Sequence, residues 1–229
     1  MLRAVIFDCD GVLADSERAH LRAFQKVLSG EGITLTEEAY FARYLARDDR
    51  GCFTAVYYDA DRPLDGPKLS DLLERKSARY LEEVKDGVGL IPGAAELAGA
   101  LSKRLPCAVA SGALRHEVDL VLDAASLANT IRVVVTAEDV SRGKPDPESY
   151  TTALARLNAE SGAKPAIGPG ECLVVEDSRH GVAAARAAGM RCLAITTSYP
   201  ADALREADLV VESFVGLDPQ SILEHFSGD

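Results

Sequence analysis

The sequence predicts an α/β fold: a doubly wound parallel sheet, Rossmann-like, with an α-helical cap domain inserted into it. Three observations carry this. From about residue 88 onward, short apolar runs alternate with helical segments, the pattern of βαβ units with right-handed crossovers. The runs are apolar at successive positions, as expected of strands buried on both faces. Between the first run and the next, residues 17–86 carry helical spacing and no convincing strand.

In chain order, Leu2 and Ala4–Phe7 form the first strand, ended by Asp8. Leu21, Phe24 and Leu28 recur at helical spacing, as do Tyr40, Phe41, Tyr44 and Leu45, and then Leu69, Leu72, Leu73, Tyr80, Leu81 and Val84. Breaks fall at 30–32, 48–51 and 62–67, where Gly, Pro and Asp gather. Pro92-Gly93 opens a helix through Leu97 and Leu101 to the basic end Lys103-Arg104, as the helix dipole favours. Strands are then predicted at Cys107–Ala110, Arg132–Val135, Cys172–Val175, Cys192–Ile195 and Leu209–Val211. The helices between them lie around Glu117–Leu122, from Pro147 to about Leu157, and from Gly181 to Ala188, where Gly189 is a natural stop. A last helix carries Ile222, Leu223 and Phe226. The expected domains are a core of residues 1–16 and 87–229 and a helical cap of residues 17–86.

Composition narrows the function classes. Lys and Arg number 25 against 36 Asp and Glu, a formal net charge of −11. An acidic surface repels phosphate backbones and anionic lipid, so neither nucleic acid nor membrane is an expected partner. No apolar run reaches the roughly 18 residues of a membrane span. Asp8 interrupts the N-terminal apolar stretch too early for a signal-peptide core, which makes the cytoplasm the expected location. Five cysteines lack the paired short spacing of a zinc site, and Cys107, Cys172 and Cys192 sit in apolar runs, so buried free thiols are expected.

Four polar features follow four of the strands, at the end of the sheet where doubly wound folds bind ligands. Asp8-Cys9-Asp10-Gly11 follows the first; an unpartnered carboxylate at the end of a buried strand is expensive, although Asp-x-Asp-Gly is also an ordinary turn. Ser111-Gly112 follows the second and reads equally as a helix cap or an anion site. Lys144, in Gly143-Lys144-Pro145-Asp146-Pro147, is either a solvated loop charge or a cation whose backbone the prolines confine. Glu176-Asp177 follows the fourth; adjacent acids suit a helix N-terminus or a cationic neighbour. The bland readings must hold at four places at once, whereas one convergent site accounts for all four. Oxygen ligands alone favour Mg²⁺ over softer metals.

These segments, DCDGVLADS, VASG, GKPDP and VVEDS, resemble the haloacid dehalogenase-like hydrolase superfamily, and within it the phosphatase and β-phosphoglucomutase-like branch with a helical cap. The resemblance spans essentially the whole chain. It implies Asp8 as the nucleophile that forms an aspartyl-phosphate and Asp10 as acid and then base. Asp8, the Asp10 carbonyl and Asp177 are implied as Mg²⁺ ligands, with Glu176 a direct or water-mediated partner. Ser111 and Gly112 would bind the phosphoryl group, and Lys144 would neutralise it and the nucleophile. The implied function is Mg²⁺-dependent hydrolysis of a small phosphorylated metabolite, a sugar phosphate in class, by a monomer or weak homodimer.

Departures narrow the branch. Dehalogenases lack a counterpart of Asp10, and phosphonatases carry Ala there with a Schiff-base lysine in the cap; Lys68, Lys76 and Lys85 exist, but Asp10 argues against that chemistry. Val12 stands where many phosphatases have Thr, and Gly112 replaces a second hydroxyl residue. In the cap, His20 and the Arg47–Arg50 segment, Arg50 above all, are candidates for substrate contact, as is Arg115 after the Ser111 loop; each is otherwise a packing or surface residue. Two other readings stay open: a mutase that moves phosphate between sugar hydroxyls, and a binding module that has kept the fold.

Overall fold

The apolar runs form strands because they can be covered on both sides. The computed structural model describes residues 1–45 and 47–226. Strands β1 (Ala4–Phe7), β2 (Cys107–Ala110), β3 (Val133–Val135), β4 (Cys172–Glu176), β5 (Arg191–Ile195) and β6 (Leu209–Val211) make one sheet, all pairs parallel, in the order β3-β2-β1-β4-β5-β6. Every residue of β1 to β4 is buried. Registers such as Ile6 opposite both Ala108 and Val174 align the even-numbered side chains of β1, β2 and β4 on one face. Ala4, Ile6, Ala108, Ala110, Cys172 and Val174 pack there with Tyr150, Ala153 and Leu157 of α7 (Glu148–Ser161) and with Val182 and Ala185 of α8 (Arg179–Ala187). Burying each Ile or Val side chain contributes about 1.5–3 kcal/mol, and the opposite face, with Val5, Phe7, Val109, Leu173 and Val175, is buried as completely.

Chain order sends β2 and β3 to one side of β1, and β4 to β6 to the other. The direction of winding therefore changes between β1 and β4. A crevice forms beyond the carboxyl ends of strands at such a point.

Local signals set the helix starts. Ser178 accepts from Gly181 N and caps α8 two residues earlier than the sequence suggests. The helix α6 (Arg115–Ala124) starts after Leu114, so Ser111 is not its N-cap; the Ser111 hydroxyl instead accepts from Ala113 N at 3.0 Å. All five cysteines are buried and free. No helix among the described residues is long and apolar enough to cross a membrane.

The chain divides into two units, one of Met1–Asp15 with Gly89–Asp229 and one of Ser16–Val88. The first is the sheet with its flanking helices, including α5 (Ala94–Ser102) and α9 (Pro219–His225). The second is the inserted helical domain: α1 (Glu17–Gly30), a short α2 (Glu37–Ala39) running into a π-helical turn at Tyr40–Tyr44, α3 (Asp49–Asp59) and α4 (Gly66–Glu83). Asp48 and Asp65 cap α3 and α4, accepting from Gly51 N and Lys68 N. Phe24 of α1 meets Phe53 of α3 edge-on, with ring centroids 5.0 Å apart.

Candidate active site

The loop after β1 is built around one carbonyl. Cys9 O accepts from Val12, Leu13 and Ala14 N, which turns the chain sharply just beyond Asp8. Gly11 makes the turn possible with φ +73°, a backbone region that side chains disfavour. A Cβ at that position would also lie 1.9 Å from Asp177 Oδ2. The absence of a side chain at Gly11 thus lets Asp177 approach the loop, and Thr197 Oγ1 ties the same loop down by donating to Gly11 O at 2.5 Å.

Asp8 sits one residue past β1, and its N–H still donates to Val175 O, as a strand residue would. Its Oδ1 is 2.9 Å from Lys144 Nζ, which also reaches Glu176 Oε1 at 2.7 Å. Glu176 is the last residue of β4 and shares the inward face of Cys172 and Val174, where it is 0% exposed. Its carboxylate is saturated. Oε1 accepts from Lys144 Nζ and from Tyr150 OH at 2.6 Å; Oε2 accepts from Asp177 N, Ser178 N and Ser178 Oγ, each at 2.9 Å.

Electrostatics follow from this arrangement. Burial disfavours the charge on Glu176, but Lys144 and the Tyr150 hydroxyl outweigh it and hold the carboxyl below its ordinary range. Burial likewise works against the Lys144 ammonium, and Asp8 and Glu176 more than compensate, so it stays charged above the usual lysine range. Asp8 is the group left under tension: burial pushes it up to about 7 against the pull of Lys144, and Glu176 and Asp10 add repulsion.

One matched family accounts for these features. Residues 2–189 match the family model of the haloacid dehalogenase-like hydrolases. The chain belongs to that family. Among its relatives, the chain is 34% identical over 206 residues to Protein CbbY of Rhodobacter capsulatus (86% of this chain, 87% of the relative). It is 32% identical over 194 residues to the phosphorylated carbohydrates phosphatase of Thermotoga maritima (82% of each). Among solved structures, β-phosphoglucomutase from Clostridium difficile superimposes with a TM-score of 0.86 at 21% identity, covering 99% of this chain and 98% of that one, which is a likeness of fold.

In this haloacid dehalogenase-like hydrolase, four residues singled out in the sequence come together: Asp8, Lys144, Glu176 and Asp177. Asp8, Glu176 and Asp177 each bring a carboxylate oxygen within 4.8 Å of the others, a set that could hold a metal ion. The residues fit a hard divalent cation by chemistry: three buried carboxylates converge, and hard cations take oxygen ligands. Of the three, Glu176 also has a carboxylate that accepts from the side chains of Lys144, Tyr150 and Ser178 and from the backbone N–H groups of Asp177 and Ser178.

Asp10 is half-buried and bridges to Ala14 within the β1 loop. Ser111 is buried beyond β2, the neighbour of β1, and Gly112 beside it is exposed. Arg115 is exposed and pairs with Asp119 at 2.9 Å on its own helix. His20 and Arg50 belong to the helical unit. His20 is buried, stacked on Tyr80 at 4.2 Å, with Nδ1 2.7 Å from Lys76 Nζ. Lys76, 0% exposed, pairs with Asp49 at 2.7 Å. Arg50 lies exposed in the first turn of α3.

Sequence reasoning missed Tyr150, Ser178, Gly181 and Thr197. Ser178 was legible as a cap before Gly181, and a tyrosine on the apolar face of a helix has no polar signature. Gly181 holds the most crowded position: a Cβ there would lie 1.7 Å from Glu176 Oε1.

Proposed function

We propose that the chain is a Mg²⁺-dependent phosphomonoesterase that hydrolyses a small phosphorylated metabolite, a sugar phosphate in class, through an aspartyl-phosphate at Asp8. The observation that carries this reading is the Asp8 carboxylate beyond β1, held by Lys144 at 2.9 Å and clustered with Asp177. Support also comes from a relative that is a phosphatase of phosphorylated carbohydrates. The working form is taken to be a cytoplasmic monomer or weak homodimer. Substrate choice is assigned to the helical insertion, which carries His20 and Arg50.

Lys144 holds Asp8 Oδ1, which leaves Oδ2 to attack phosphorus in line with the ester oxygen. The P–O ester bond breaks as the Asp8–phosphorus bond forms. The Asp10 carboxyl gives its proton to the leaving oxygen, so the alcohol departs neutral. Asp10, now a carboxylate, takes a proton from water as that water attacks phosphorus; Asp8 is released ionised, together with inorganic phosphate. Ser111 and the amides of its loop hold the phosphoryl oxygens, and Lys144 neutralises charge on the nucleophile and on the transferring group. Asp8, the Asp10 carbonyl and Asp177 would hold Mg²⁺, which would supply charge that lowers the repulsion between carboxylate and phosphate.

The test is phosphate release from a panel of sugar phosphates and from p-nitrophenyl phosphate, with Mg²⁺ and with chelator, for the wild type and Asp8→Asn. Turnover that needs Mg²⁺ and falls by at least about 10³-fold in Asp8→Asn is expected. Undiminished Asp8→Asn activity would refute the reading. On a hexose 1-phosphate, free phosphate is expected; accumulation of hexose 6-phosphate instead would assign the mutase reaction.

A further inference from the structure

We propose that Tyr150 is a positioning residue for the transfer step: its hydroxyl fixes the Glu176 carboxylate and, through it, the Lys144 ammonium against Asp8. The inference rests on the phosphatase reading for its kinetic consequence, but its geometric content stands by itself.

Lys144 is shared between two carboxylates, 2.7 Å from Glu176 Oε1 and 2.9 Å from Asp8 Oδ1. Only the second contact serves the reaction. Glu176 is the more deeply buried partner, so with nothing else bound at Oε1 the lysine would be drawn toward it. Tyr150 OH occupies the second position on that same oxygen at 2.6 Å. Its donation disperses the charge on Oε1 and closes the side toward which the ammonium could swing. The ring adds a second restraint, since Lys144 Nζ lies 4.8 Å from the Tyr150 ring centroid. Tyr150 is itself fully buried: it is 0% exposed in the first turn of α7, packed among the side chains of the sheet's even-numbered face. The other Glu176 oxygen is pinned by Asp177 N and by both Ser178 donors, so the carboxylate cannot rotate to replace the lost bond. Phenol at this place acts only as donor, because burial and the negative neighbours Glu176 and Asp8 keep it protonated.

The discriminating variant is Tyr150→Phe, which removes one oxygen and keeps the ring. Steady-state kinetics should give a kcat about tenfold lower with KM within about twofold, the size of one hydrogen bond to a charged group expressed in the transition state. The metal-free protein supplies a second readout: the ¹⁵Nζ resonance of Lys144, assigned by its absence in Lys144→Met, should shift or broaden in Tyr150→Phe. A packing role alone would lower thermal stability and leave both readouts where they are. Wild-type kcat in Tyr150→Phe, a rise in KM alone, or an unchanged Lys144 resonance overturns the proposal. If the wild type turns over no phosphate ester, the functional reading fails and the resonance alone decides this one.

Discussion

Gly181 and Glu176 occupy each other's space: a Cβ at position 181 would lie 1.7 Å from Glu176 Oε1 and 1.8 Å from its carboxyl carbon. On helix propensity alone, Gly181→Ala in α8 should stabilise by about 1 kcal/mol. The clash reverses the sign, since Glu176 is wedged between five donors and cannot retreat without leaving buried partners unmet. Gly181→Ala is expected to lower kcat by at least about 10²-fold and to lower Tm. The contrast is Gly99→Ala in α5, where the nearest atom to a built Cβ is Leu127 Cδ2 at 3.9 Å. That variant should raise Tm by about 2–4 °C with activity intact. Equal outcomes for the two would mean that the Glu176 cage carries no weight.

Gly11→Ala tests the approach of Asp177 to the β1 loop. The substitution meets two obstacles at once, φ of +73° and Asp177 Oδ2 at 1.9 Å. Displacing Asp177 should weaken the proposed cation site before it unfolds anything else, because the loop is also held by Thr197 and by the bonds to Cys9 O. The Mg²⁺ concentration for half-maximal activity should rise by about tenfold or more, the loss of roughly one charged ligand contact. An unchanged Mg²⁺ dependence would remove Asp177 from the site.

Metal removal should be visible in stability as well as activity. Asp8, Glu176 and Asp177 crowd carboxylate oxygens within 4.8 Å of one another, and Lys144 pairs with the first two. A ligand that binds only the folded state at about 100 times its Kd adds about 2.7 kcal/mol. Chelator should therefore lower the wild-type Tm by several degrees relative to saturating Mg²⁺, and Asp177→Asn should show little or no such shift. A wild-type Tm indifferent to Mg²⁺ would contradict a cation at this place.

Much of this molecule is legible in its sequence for one reason: strands buried on both faces leave unbroken apolar runs, and polar residues at their carboxyl ends are conspicuous. Cys107–Ala110, buried throughout, is read to the residue, and so is the half-buried edge strand Leu209–Val211, which is apolar along its length. Asp8, Glu176 and Asp177 stand out because each is a charge at the end of a buried strand, and Lys144 because two prolines confine the loop around it. Which of Glu176 and Asp177 meets Lys144 and Tyr150 is not legible, since two adjacent acids look alike until the pleat assigns one of them to the inward face. Glu176 continues the row of Cys172 and Val174, so it meets Tyr150 and Lys144. Nor is the π-helical turn at Tyr40–Tyr44 legible, because its spacing of aromatics matches an ordinary helix.

Glu31 makes the helical insertion sensitive to acid. It follows α1 and takes Arg75 Nη1 of α4 on Oε1 at 2.6 Å and Lys68 Nζ on Oε2 at 2.8 Å, joining the two helices. Hydrogen bonds from Lys68 and Arg75 lower its pKa to about 2. The folded state therefore holds the ionised form more tightly than the unfolded chain does, whose glutamates titrate near about 4.3. The stabilisation is complete above that value and drains away as pH falls toward 2. Both cations are partly exposed, so screening keeps the contribution to about 1 kcal/mol or less. At pH 7, Glu31→Gln should lower Tm by about 2–4 °C, the amount expected for a chain of this size. The gap should narrow from pH 5 downward and close near pH 2, and added salt should shrink it at pH 7. Thermal melts of both proteins across that range decide the matter: a gap that persists undiminished at the acid end would trace the loss to packing around α1 and α4, not to the charge on Glu31.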